Sequence, residues 1–89
     1  MVRVAIPPPF RGPTGGAAKV EVEGATVEES LRAVGVLHPG FLEQVFDARG
    51  VVHRFVKLFV NGEPIEPTAL GTPVGEGDEV AILAAVAGG

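Results

Sequence analysis

Few residues of this 89-residue chain have the type and spacing to do chemistry. His38 stands before Pro39 in a turn and His53 stands in a strand-like run beside Arg54. Nothing supplies a third ligand at metal-site spacing, so both read as solvated or capping histidines. Glu28-Glu29 and Glu76 with Asp78-Glu79 pair carboxylates, but each suits a helix start or a turn. A general acid/base pair also needs a cleft, and so short a chain offers little of one. Thr14, Thr26, Ser30, Thr68 and Thr72 have no histidine at a spacing that suggests a nucleophile–base pair. Pro13-Thr14-Gly15-Gly16 lacks the Lys-Ser/Thr of a phosphate loop and leads into a strand pattern, so it reads as a hairpin tip. That leaves Ala85-Val86-Ala87-Gly88-Gly89. One reading is an unpacked end. The other makes the Gly89 α-carboxylate the reactive group, because glycines without Cβ atoms thread a tunnel that rejects any side chain. Five residues reach roughly 17 Å at full extension, enough to put Gly89 inside a partner's active site while the domain stays outside.

Composition narrows what can carry such a tail. The length fits one small domain with one modest core. A net charge of −4, five Phe and no Tyr or Trp make a poor phosphate-backbone binder with little to stack bases on. No cysteine is present, which excludes disulfides, thiolate nucleophiles and cysteine-ligated metal sites. Thirteen Gly and eight Pro imply many turns, while 46% hydrophobic content argues for a folded chain. No stretch has the ~18–20 apolar residues of a membrane span, and the start lacks a signal-peptide core, so a cytoplasmic domain is expected.

The elements follow from periodicity. Val2, Val4 and Ile6 alternate with Arg3 and Ala5 as a half-buried strand, which the three prolines 7–9 end. A wide loop to Gly16 predicts an open-tipped hairpin with Lys19 to Glu23, Val20 and Val22 sharing one face. Thr26-Val27-Glu28-Glu29 is a capping box. Val27, Leu31 and Val34 form the stripe of the helix it opens, and Gly35 is expected to end it. Phe41, Leu42, Val45 and Phe46 make a short second helix. Residues 51–60 read as one long strand with Val56, Leu58 and Val60 inward and Phe55, Lys57 and Phe59 outward. Asn61-Gly62 predicts a hairpin into a brief strand Glu63-Pro64-Ile65. Residues 67–74 read as an irregular or 3₁₀ connection and 75–78 as a turn. The last strand, 79–84, has Val80 and Ile82 inward and Leu83 outward. This order is α+β. Its economical topology is a ubiquitin-like β-grasp: a mixed sheet of about five strands on one main helix plus a short second helix, with the first and last strands parallel at the centre. The expected division is a domain over 1–84 and a flexible tail over 85–89.

On that topology Gly77-Asp78-Glu79-Val80 and the terminal Val86-Ala87-Gly88-Gly89 resemble the MoaD/ThiS family of ubiquitin-like sulfur carriers across the whole chain. Ile6 with the proline loop ending Thr14-Gly15-Gly16, then His53-Arg54-Phe55-Val56 and Val60-Asn61, is most similar to the branch that carries sulfur for cysteine biosynthesis. Many molybdopterin carriers have Pro-Pro where this chain has Ala84-Ala85, so its tail is expected to be less stiff.

The resemblance implies a protein cosubstrate, not an enzyme and with no bound cofactor or metal. An E1-like activating enzyme, using ATP and Mg, would adenylate Gly89, and a sulfur donor would displace AMP to leave a thiocarboxylate. In the cysteine branch that sulfur would attack an aminoacrylate on a pyridoxal-phosphate synthase. As the small subunit of molybdopterin synthase it would sulfurate a pterin precursor inside the large subunit. Partner binding would fall to Val86, Ala87 and Gly88 of the tail and to an apolar patch of Phe55, Phe59 and Leu83. The competing placement packs Phe55 and Phe59 under the 41–46 segment. Glu76, Asp78 and Glu79 would meet basic partner surfaces, Arg54 and Lys57 acidic ones. A ubiquitin-like modifier joined to lysines, or a plain interaction module, remains open. No nucleic acid or membrane is expected as a partner.

Overall fold

The structure is a computed structural model and describes residues 1–84. The expected tail, 85–89, lies outside the described residues. Five strands form one sheet in the order β2-β1-β5-β3-β4, where β1 is Val2–Ala5, β2 Lys19–Val22, β3 Val56–Val60, β4 Glu63–Ile65 and β5 Glu79–Ala84. Pairing is antiparallel except between β1 and β5, which run parallel with Val4 opposite Val80. Two helices, α1 (Val27–Leu37) and α2 (Phe41–Val45), complete the ubiquitin-like β-grasp.

Alternation puts Val2, Val4, Val20, Val22, Val56, Leu58, Val80 and Ile82 on one buried sheet face. Val27, Leu31 and Val34 of α1 join them in one core with Phe41, Val45 and Phe46. The helix starts as the capping box predicts, with the Glu29 N–H donating to Thr26 Oγ1 at 3.2 Å. The reciprocal bond reaches one residue further back, since Glu29 Oε1 accepts from the Ala25 N–H at 2.9 Å. The remaining first-turn donors are served from the far end of the chain. Val27 N–H donates to the Thr72 carbonyl and Glu28 N–H to that of Leu70, both at 3.0 Å. The irregular 67–74 segment is therefore the cap of α1, which satisfies amides that a helix start leaves unpaired.

Three expectations are corrected. Gly35 does not end α1, which continues to Leu37 and closes with His38 N–H on the Val34 carbonyl at 2.8 Å. Gly35 is there because α2 packs against it: a Cβ at this position would fall on the Leu42 side chain. The 7–16 loop is not open. Pro8–Phe10 forms a 3₁₀ turn that buries Phe10, the Thr14 hydroxyl is buried among carbonyls of the same loop, and Arg11 Nε donates to the Ile6 carbonyl. The strand expected from residue 51 begins only at Val56. Before it, Val52 bridges back to Phe46. The Asp47 carboxylate accepts from the Arg49 and Val51 N–H groups, curling 47–51 into a turn.

Gly35→Ala should destabilise the protein. Alanine favours the helix by about 1 kcal/mol, but overpacking against Leu42 costs about 1–3 kcal/mol. Urea unfolding should show a lower midpoint with unchanged slope, and pairing the change with Leu42→Ala should recover part of the loss.

Candidate functional site: the end of the central strand

Of the expected site residues, Leu83 and Phe59 lie on the outer sheet face, toward the end of β5. β5 lies between β1 and β3, so its end at Ala84, opposite Val56, is held on the side where the chain leaves the described structure. Because β1 runs parallel to β5, Ile6 and the proline segment after it lie at this same end. The far end of β5 is locked by a two-way clamp. The Asn61 amide donates to Asp78 Oδ1 at 3.1 Å, and its Oδ1 accepts from the Glu79 N–H at 2.9 Å. The other Asp78 oxygen accepts from the Gly75 N–H at 2.8 Å and closes the turn into β5. Asn61 takes the left-handed conformation, φ 51°, as the first residue of an Asn-Gly hairpin does, so the turn residue is also the clamp.

On the outer face Leu83 stands directly opposite Lys57, and Phe59 opposite Ala81 on one side and Pro64 on the other. Leu83 is 50% exposed and Phe55 37%, while Phe59 is half-buried. Phe59 therefore lies on the same outer face as Lys57 and Leu83. Phe59 does not pack under 41–46, whose Phe41 and Phe46 belong to the core on the opposite face. Phe55 is not a strand residue. It lies in the turn before β3, where its ring stacks on His53 at 5.1 Å between centroids and 16° between planes. His53 is held in turn by its N–H on the Val45 carbonyl at 2.9 Å and its Nε2 3.4 Å from the Glu43 carbonyl. The histidine thus positions the phenylalanine, which the local sequence pattern does not reveal. Among the described residues no group of three His, Cys, Asp or Glu side chains could hold a metal ion.

Charge divides along β5. Arg54 and Lys57 are exposed near the Ala84 end, whereas Glu76, Asp78 and Glu79 sit at the other, with Glu79 five residues or roughly 17 Å from Ala84 along the strand. The acidic rim therefore does not border the exit. Val86, Ala87, Gly88 and Gly89, the expected tail contacts and reactive terminus, lie outside the described residues. What the described residues provide is a rigid strand end beside an apolar and basic surface, and no catalytic cluster on it.

The chain matches the ThiS family over residues 8–89. It is 37% identical to the sulfur carrier protein CysO of Mycobacterium tuberculosis over 91 residues, covering 99% of this chain and 98% of that protein. It is 36% identical to small archaeal modifier protein 1 of Haloferax volcanii over 72 residues, 80% of this chain and 79% of that one. A chain of the crystallised Amycolatopsis orientalis BexX/CysO complex superposes with a TM-score of 0.87 at 38% identity, covering all of both chains. No described helix is long and apolar enough to cross a membrane.

Two donors on the Asp78 carboxylate, first the Asn61 amide and then the Gly75 N–H, hold its pKa below the ordinary 3.8. A depressed folded-state pKa adds stability above the unfolded value, and that stability fades as pH falls through the lower folded one. Asn61→Gly keeps the turn but removes the first donor. A carboxyl-carbon NMR titration should then show the Asp78 midpoint rising toward 3.8, with the share of acid-side stability loss that Asp78 contributes shrinking as the gap between its folded and unfolded values closes.

Proposed function

This chain belongs to the ThiS family, and on that premise we propose that it is a sulfur carrier protein whose Gly89 carboxylate is adenylated and converted to a thiocarboxylate that donates sulfur in cysteine biosynthesis. The observation that supports this most is the 37% identity to CysO over 99% of the chain. The chemistry explains why a domain without cysteine suits the task. A carboxylate resists nucleophiles because its charge repels them and oxide is a poor leaving group. Reaction with ATP joins the carboxylate to AMP and releases pyrophosphate. A sulfur nucleophile then attacks the acyl carbon, the C–S bond forms and AMP departs. The sulfur is held on a tether rather than diffusing, which gives it positional selectivity.

In this reading the protein is a cosubstrate and binds no cofactor itself. ATP and Mg belong to an E1-like activating enzyme, a sulfur donor follows it, and a pyridoxal-phosphate synthase consumes the product. The BexX/CysO complex is a CysO bound to another protein, and it supports a partner that docks on the domain. Each partner would hold Phe55, Phe59 and Leu83 while Val86, Ala87 and Gly88 thread toward its reacting centre. Arg54 and Lys57 would face acidic groups at the entrance, setting encounter rate more than affinity. A second reading, a modifier whose Gly89 is joined to lysines, is favoured by the 36% identity to small archaeal modifier protein 1.

Intact mass after incubation with an activating enzyme, ATP and a sulfur donor separates the readings. The carrier shows one oxygen-to-sulfur exchange at the C-terminus, and deletion of Gly89 abolishes it. Lysine adducts without that exchange would overturn the carrier reading. Leu83→Asp should slow activation about tenfold or more, the loss of a central apolar contact, while leaving the urea midpoint nearly unchanged because the side chain is exposed.

A further inference from the structure

The two edges of the sheet are treated differently. β4 is three residues long with Pro64 at its middle, which removes a backbone donor, a common way to blunt an edge. β2 is four residues long and has no proline, and only its charged residues Lys19 and Glu21 guard it. Ile6 N–H donates to the Ala18 carbonyl, and the β1–β2 register pairs Val4 with Val20 and Val2 with Val22. Antiparallel alternation then turns the backbone groups of Val20 and Val22 toward β1 and those of Lys19 and Glu21 outward. Neither Lys19 nor Glu21 uses its backbone in a turn or cap bond among the described residues. Beside this edge a groove runs between β2 and the end of α1, its apolar lining from Met1, Val22, Ala33, Val36 and Leu37 and its rim from Glu21 and Glu23. Val36 is 81% exposed, Leu37 58% and Met1 50%. Among the described residues these are three of the six exposed large hydrophobics, gathered on the side of the sheet away from the β3–β5 face.

We propose that this edge is a self-association surface, occupied by β2 of a second copy in an antiparallel pair about a two-fold axis through Val20. The charges select both occupant and register. Lys19-Val20-Glu21 reads positive, neutral, negative. Reversed about Val20 it sets Lys19 opposite Glu21 of the second copy, and Glu21 opposite Lys19 of the second copy. Both are outward-directed residues, so their backbones form the hydrogen-bonded pairs. The neighbouring register that also pairs outward residues, about Glu21, sets that carboxylate against its own copy and is disfavoured. In the favoured register Val22 faces Ala18 of the second copy, so the groove of Val36 and Leu37 receives the small side chain at 18. Lys19 already leans 3.7 Å from Glu79, an exposed pair that holds it weakly. The resulting sheet is continuous across ten strands, and the two β5 ends emerge in opposite directions. One short edge makes a small interface, so the association belongs to the weak, transient class. With −4 on each copy it needs physiological salt to screen the mutual repulsion.

Sedimentation velocity on the full chain at physiological salt, from micromolar to millimolar concentration, tests this independently of sulfur transfer. A reversible monomer–dimer equilibrium is expected. Lys19→Glu or Glu21→Lys each places like charges opposite one another twice and should weaken it about tenfold, while the double exchange should restore it to within about threefold. Carbodiimide coupling of the unaltered chain, with one copy isotope-labelled, should join Lys19 of one copy to Glu21 of the other, which tests the register even where a variant folds poorly. A monomer throughout, a dimer indifferent to Lys19→Glu, or a double exchange that restores nothing would each overturn the proposal.

Discussion

The fold depends on β5 being paired on both sides, parallel to β1 and antiparallel to β3. This joins the first and last strands of the described chain, so the core cannot close until the C-terminal strand arrives. Each side of β5 is then constrained by a different part of the sequence. Val80 and Ile82 are held in the core, Glu79 and Asp78 are held by Asn61, and only the outer face and the Ala84 end are left for other molecules. A strand so fixed delivers whatever follows it from one place and in one direction.

The helical layer serves the same end. The 67–74 segment returns from the sheet edge to cap α1, so the helix start and the approach to β5 are tied together. α2 lies close enough to α1 that a Cβ at 35 would fall on the Leu42 side chain. It also supplies the Val45 carbonyl that holds the His53 backbone in place. Phe55 is therefore presented by a relay that begins in the core: α2 places the imidazole, and the imidazole places the ring. Arg32 over the Phe46 ring, 5.5 Å from its centroid, covers the other flank of this segment.

Much of this was legible in the residues. Strict alternation at 2–6, 19–23 and 79–84 identified three strands and their faces, because a sheet with one solvated side imposes that period. Thr26 with Glu29 and Asn61 with Gly62 identified a helix start and a hairpin by local chemistry alone. The misreadings have a common cause. Gly35 resembles a helix stop until Leu42 is seen beside it, and Val51-Val52 resembles a strand until Val52 is seen bridging to Phe46. Phe10 looked like a loop residue although an aromatic side chain has strong reason to be buried. Each depends on a neighbour that local pattern does not contain. For the site, the outward placement of Leu83 and Phe59 followed from strand phase, whereas Phe55 lies in a turn before the strand, and the Asn61–Asp78 clamp and the His53–Phe55 stack needed the pairing of segments not read from local pattern.

The double pairing of β5 has a mechanical consequence. Tension along anything attached to Ala84 loads two ladders in shear, so their hydrogen bonds must fail together rather than open in sequence from an edge. Core strands of this kind open only near the free energy of global unfolding. Whatever grips the end of this chain can pull on it, and be pulled away from it, without unravelling the domain behind.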